Sequence, residues 1–326
     1  MIKNIVGALA LAITAASVQA ETLTLASPAP GPAPLNKAFQ MYADAVSEAS
    51  GGDVKINVVA GGTLGRHGQL LDRVQAGVVD IAWDFQGYYP NRFPRSSVAE
   101  LPFMFSTSLE GSMAIQSLFD AGQLGNEYDD FVVLGLWAFP NNSVMLTQEL
   151  PASGDLSGLK MSAQNPTMYA AAESLGAVPV AMGIPDWYPA LSRGTIDGAV
   201  VAFTAVPAFR FQEVATHFYK TSLGGNTGMI FMNKAKFESL SPEAQEAMMS
   251  VSGAAMAEMM GSFLNEQAQN GEGLASTTAE AIVELDEAAA AKWQEAVAPL
   301  RTNWLEAGNG DQALIDAMSA AVAAAK

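Results

Sequence analysis

The chain contains no cysteine among its 326 residues. That excludes a disulfide framework, a thiolate metal site and a lipid anchor through an N-terminal cysteine. Imidazole is almost as scarce: His67 and His217 are the two histidines, and neither stands in a His-Glu-x-x-His or other recognised catalytic spacing. A Gly-x-Ser-x-Gly elbow is also missing, so an exported hydrolase working through paired carboxylates is a rival class without a local motif. Positive charge is low, with 16 Lys plus Arg against 33 Asp plus Glu and a formal net charge of −17. Such a surface repels phosphate backbones and anionic lipids, which argues against nucleic acid as a partner. No apolar run reaches the ~20 residues a spanning helix needs, so direct membrane insertion of the mature chain is not expected.

What is present begins with a secretory pattern. Met1-Ile2-Lys3-Asn4 precedes an apolar run from Ile5 to about Ala16, and Val18-Gln19-Ala20 precedes Glu21. A basic start, a short apolar core and small residues at −3 and −1 predict a signal peptide over 1–20, cleaved near Ala20. The remaining ~300 residues suggest two domains at about 100–200 residues each, with one large α/β domain as the simpler alternative.

A unit occurs twice, about 115 residues apart: a helical stretch stopped by Gly, then a short apolar strand carrying Asp. The copies are Leu71-Asp72-Arg73-Val74-Gln75-Ala76-Gly77-Val78-Val79-Asp80-Ile81-Ala82 and Tyr188-Pro189-Ala190-Leu191-Ser192-Arg193-Gly194-Thr195-Ile196-Asp197-Gly198-Ala199. Gly sits where a helix end needs a left-handed residue, which predicts a helix-to-strand junction in each half. Asp80 and Asp197 are expected to fix turns rather than touch a ligand. Elsewhere, Glu21–Ser27 alternates as a strand, 35–50 reads as a helix closed by Gly51-Gly52, and Val54, Ile56 and Val58 alternate again. Phe131–Phe139 is a nearly continuous apolar strand of the kind covered on both faces, and Thr227–Asn233 is a further strand. Ser241-Pro242-Glu243 starts a helix, and the rest reads as almost all helical with an interruption near Asn270–Gly273. Alternating α and β elements predict a two-lobed α/β protein.

The order of several segments resembles the solute receptors of tripartite ATP-independent periplasmic (TRAP) transporters. They are Gly61-Gly62-Thr63-Leu64-Gly65, Val74–Asp80, Leu101-Pro102-Phe103-Met104-Phe105, Asp155–Met161, Leu175–Val180, Trp187–Leu191, Gly194–Gly198 and Phe237–Gln245. The resemblance implies a periplasmic binding protein fold with crossing strands, long C-terminal helices and a ligand cleft between the lobes. Lobe I is then expected over 21–140 plus about 224–265, and lobe II over 141–223 plus about 266–326. It also implies periplasmic residence, no cofactor, no enzymatic activity, and small and large membrane permease subunits as partners. A receptor feeding a signalling partner would look alike.

The sequence departs from the family where many members carry a carboxylate-gripping Arg, because Ser162 stands there in Lys160-Met161-Ser162-Ala163-Gln164. A second family Arg would fall near Val144, and Arg66, Arg92, Arg95 and Arg210 occupy none of the clamp positions. Aromatic residues are abundant instead: Trp83, Phe85, Trp137, Phe139, Trp187 and Phe203. Aromatic faces attract ammonium groups, so Trp83, Phe85, Trp137, Trp187 and Phe203 with Asp84 as counter-ion predict a site for a cationic amine or quaternary ammonium compound, with Phe139 a further ligand-binding candidate. The alternatives are a carboxylate or a neutral polyol, and each aromatic could be ordinary core. Ser162, Asn165 and Asn226 are candidates for neutral hydrogen bonds or for local turn caps, and Tyr88 for the cleft rim or the surface.

Overall fold

The structure is a computed structural model that describes residues 20–89 and 91–326. The signal-peptide reading of 1–20 falls, except for Ala20, outside the described residues. In chain order, β1 (Glu21–Ala26), β2 (Val54–Val59), β3 (Ile81–Phe85) and β4 (Phe131–Ala138) belong to a first sheet. The chain then crosses to β5 (Ser143–Leu146), β6 (Lys160–Ala163), β7 (Val178–Pro179), β8 (Gly198–Val201) and β9 (His217–Lys220) in a second sheet. It crosses back into β10 (Thr227–Asn233) and later adds β11 (Ala281–Glu284) to the second sheet. The orders are β2-β1-β3-β10-β4 and β11-β9-β5-β8-β6-β7. Strand β10 runs antiparallel between β3 and β4, while β1 pairs in parallel with β2 and β3.

The helix Leu35–Ala49 shows why helices cover these sheets. Ala38, Phe39, Tyr42, Ala43 and Val46 are its buried residues, spaced three and four apart on one face. Phe39 stacks on Trp83 of β3 at 5.3 Å between ring centroids. Ser241 caps its helix as the sequence implies, its Oγ accepting the Ala244 N–H at 3.1 Å with Pro242 behind it.

Both copies of the repeated unit form the expected junction. Gly77 and Gly194 have φ of 69° and 68°, after the helices Leu70–Gln75 and Trp187–Ser192 and before β3 and β8. The acid that follows makes the same bond in each lobe. Asp80 Oδ2 accepts Thr24 N–H of β1 at 2.8 Å, and Asp197 Oδ2 accepts Lys160 N–H of β6 at 2.8 Å. Each Asp thus ties the entry of its own strand to the parallel neighbour.

Two readings of the C-terminal part change. The long helix Ala254–Ala275 runs straight through 270–273, because Gly271 provides close approach rather than a break. A Cβ at Gly271 would collide with the Phe203 carbonyl. This helix spans the lobes: Met256, Met260 and Phe263 join the core behind the first sheet, and Ala275 joins a second-lobe core with Phe203 and Phe218. After β11, Trp293, Val297 and Leu300 pack in the second lobe, but Trp304, Leu314, Ile315, Met318 and Val322 return to the first. The end of the chain therefore belongs to lobe I rather than to the expected 266–326 part of lobe II. Among the described residues no helix is long and apolar enough to cross a membrane.

Candidate functional site

The two crossing segments lie side by side, Phe139 N–H donating to Asn226 O at 2.8 Å and Asn142 N–H to Gly224 O at 2.8 Å. Beside them, a cavity of about 340 Å³ is lined by both lobes and by the long helix. That volume lies in the usual range of small-molecule sites, about 300–1,000 Å³. Its first-lobe wall is aromatic: Trp83 and Phe85 on β3, then Tyr88, with Phe139 from the crossing. Phe85 lies 4.9 Å from Phe139 and 5.3 Å from Trp83, in tilted and edge-on contacts. Phe209 of the second lobe and Phe263 of the long helix add further rings. The polar positions are the amides of Gln164, Asn165, Asn226 and Gln267 and the hydroxyls of Thr204 and Tyr88, together with His67. Among the described residues no Arg, Lys, Asp or Glu lines this cavity.

Of the residues singled out from sequence, Trp83, Phe85, Tyr88, Phe139, Asn165 and Asn226 meet at the cavity. The other five do not line it, and each has a physical reason. Asp84 points to the opposite face of β3 from Phe85 and is fully buried. Its oxygens accept His67 Nδ1 at 2.5 Å, the Tyr89 hydroxyl at 2.6 Å and the Gly68 N–H at 3.0 Å, so it is spent on protein donors. Trp137 is buried behind the wall against Phe39 and Gly228. Trp187 stacks on Phe211 in the second-lobe core and donates Nε1 to Met182 O at 3.1 Å. Phe203 stacks on Phe218 at 5.7 Å. Ser162 is buried and meets the Tyr169 hydroxyl at 3.2 Å.

The amine cage is thereby corrected. Its counter-ion is shielded, and three of its five rings, Trp137, Trp187 and Phe203, are core. Nor does an arginine replace the missing clamp: Arg92 pairs with Asp130, Arg95 with Asp311 and Arg210 with Glu213, and Arg66 is outside the lining.

Sequence reasoning passed over His67, Gln164, Phe209, Phe263 and Gln267, which all border the cavity. His67 carried one available signal, being one of only two imidazoles in the chain. Its ring lies parallel to Tyr88 at 5.0 Å and 5°, and 5.0 Å from Phe85. With Nδ1 held by Asp84, Nε2 is the nitrogen left for a ligand. Burial and the Asp84 charge push the Tyr88 hydroxyl above its ordinary range, so it stays a neutral donor and acceptor.

Comparison with known proteins agrees with this architecture. The family described as bacterial extracellular solute-binding protein, family 7, matches residues 26–307. A solute-binding protein of Verminephrobacter eiseniae is 26% identical over 282 residues, 82% of this chain and 80% of its own. A marine metagenome TRAP solute-binding protein specific for aromatic acid ligands, solved with metahydroxyphenylacetate, has a TM-score of 0.86 and 30% identity, covering 93% of this chain and 98% of its own. A TRAP solute-binding protein from Rhodoferax ferrireducens T118, with copurified benzoate, has a TM-score of 0.86 and 27% identity, covering 94% and 98%. With the fold, the interlobe cavity and a match over residues 26–307 of 326, this chain belongs to family 7 of the bacterial extracellular solute-binding proteins, the solute receptors of TRAP transporters.

Proposed function

We propose that this receptor captures a compact aromatic solute between its lobes and delivers it to the small and large subunits of an ion-coupled membrane permease. The observation that carries this reading is the composition of the cavity: an aromatic wall with, among the described residues, no acidic or basic side chain except the imidazole of His67. A flat ring buries its apolar area against Phe85, Tyr88 and Phe139, and edge or offset contacts add about 0.5–1.5 kcal/mol per aromatic pair. A sugar acid or polyol would leave many hydroxyls facing carbon, which is unfavourable when they find no partner. The names of the metagenome and Rhodoferax proteins, which bind aromatic acids and benzoate, support the same class.

Because the lining comes from both lobes, a ligand that touches both favours the closed arrangement and shifts the hinge equilibrium toward it. Residence in the periplasm and the permease partnership follow from membership of the family. The reading is tested by thermal-shift measurements on mature protein that has been unfolded and refolded to strip carried-over ligand. Benzoate, 3-hydroxybenzoate and benzyl alcohol are compared with choline, glycerol and glucuronate. Aromatic solutes are expected to raise the melting temperature by mass action. A response confined to glucuronate or glycerol would overturn the reading.

A further inference from the structure

The polar corner of the cavity has a direction built into it. Asn165 caps the helix Pro166–Ser174, its Oδ1 accepting the backbone N–H of Met168 at 2.9 Å. A backbone N–H can only donate, so this bond fixes which way the Asn165 amide faces. Its Nδ2 must then be the donor to Asn226 Oδ1, at 2.6 Å. Asn226 in turn donates Nδ2 to Gln164 Oε1. The chain of amides therefore ends on Gln164 Nε2, which meets no protein acceptor among the described residues. Asn165 and Asn226 are 5% and 8% exposed, line the cavity with Gln164, and each keeps one N–H beyond those already bonded.

We infer that Gln164 Nε2, with the remaining N–H groups of Asn165 and Asn226, is an uncharged donor subsite that receives the carboxylate of an aromatic acid. The assignment rests on the aromatic-cavity reading and adds the chemistry of the ligand's polar end. Each amide oxygen of the relay faces the donor that precedes it, while the N–H groups left over on Asn165, Asn226 and Gln164 have no protein acceptor among the described residues, so the free donors are what the relay can offer an anion. Hydrogen bonds to an ionised acceptor are roughly twice as strong as neutral ones, and two or three N–H donors hold a carboxylate in its charged form without a cation. The relay is polarised in the useful sense by its origin at a helix N-terminus, where the partial charge is positive. Asn226 lies at the second crossing and Gln164 and Asn165 at the end of β6, so an anion gripped by all three bridges the hinge.

Calorimetric titration of refolded mature protein with benzoate and with benzyl alcohol tests this. Gln164→Glu keeps an oxygen to accept from Asn226 but turns the end of the relay from donor to acceptor. Gln164→Met removes the donor without adding charge. Benzoate affinity is expected to fall at least tenfold in both variants, with benzyl alcohol held within about threefold. A loss of benzoate affinity below tenfold in Gln164→Met overturns the subsite, as does an equal loss of both probes. Native protein that binds benzyl alcohol and not benzoate overturns the carboxylate assignment while the aromatic cavity stands. Native protein that binds neither overturns both.

Discussion

His67 Nδ1 lies 2.5 Å from Asp84 Oδ1, and this contact turns the carboxylate away from any ligand while fixing the imidazole that faces one. The neutral ring offers Nε2 as an acceptor and the charged ring offers it as a donor. Asp84→Asn turns one of the two acceptor oxygens into an NH2 that faces the donors on its side, and is expected to cost about 1–3 kcal/mol of stability in denaturant unfolding. His67→Ala takes a donor from the buried Asp84 and is expected to cost a similar amount of stability, and to shrink the thermal shift that an aromatic solute produces. Tight choline binding that Asp84→Asn abolished would show that Asp84 reaches ligand after all.

Asp80 and Asp197 make equivalent bonds in the two lobes, so they should respond alike. Asp80→Ala and Asp197→Ala each lose one carboxylate bond to a neighbouring strand amide. Each is expected to lower unfolding stability by about 1 kcal/mol, with benzoate affinity unchanged. A drop in affinity at constant stability would give either residue a role in the site.

Glu100 sets a pH dependence of stability. Burial pushes its carboxyl from 4.5 up to about 7, offset in part by Thr227, whose hydroxyl and N–H donate to it at 2.9 and 3.3 Å. Between these pH values the folded protein keeps a proton that the unfolded chain has released. Stability is therefore full below about pH 4.5 and falls as pH rises through 7. Glu127, also raised by burial, acts in the same sense. Glu100→Gln should flatten the slope and, at pH 8, make the variant more stable by on the order of 1–3 kcal/mol. A slope equal to that of the native protein in urea titrations at pH 5 and 8 would rule Glu100 out as its source.

Two glycines of one helix should behave in opposite ways. Gly271→Ala forces a methyl onto the Phe203 carbonyl, whereas Gly273 faces open space. Gly271→Ala is expected to cost about 1–3 kcal/mol or more by overpacking. Gly273→Ala should gain about 0.5–1 kcal/mol from helix propensity. Melting temperatures of the two variants check both signs, and equal effects would mean that the long helix does not approach the second lobe so closely.

Local chemistry determined much of this protein in advance. Gly77 and Gly194 stop helices because a left-handed residue is cheapest as glycine, and Ser241-Pro242 starts one because serine caps a free N–H and proline needs none. The runs Phe131–Ala138 and Met229–Met232 within Thr227–Asn233 are strands whose apolar character suits a sheet covered on both sides. These signals depend on neighbours in sequence, and with the ordered family segments they reached the two-lobed receptor. Which aromatic ring faces ligand depends on partners far along the chain. Phe85 and Asp84 are adjacent yet point to opposite faces of β3, and Trp187 found Phe211 rather than the cleft. The direction of the Gln164 amide was set by Met168 through two asparagines, one of them 61 residues from the other. Only the tertiary structure could decide those matters, because hydrogen-bond polarity and side-chain burial are properties of the assembled neighbourhood and not of the residue that carries them.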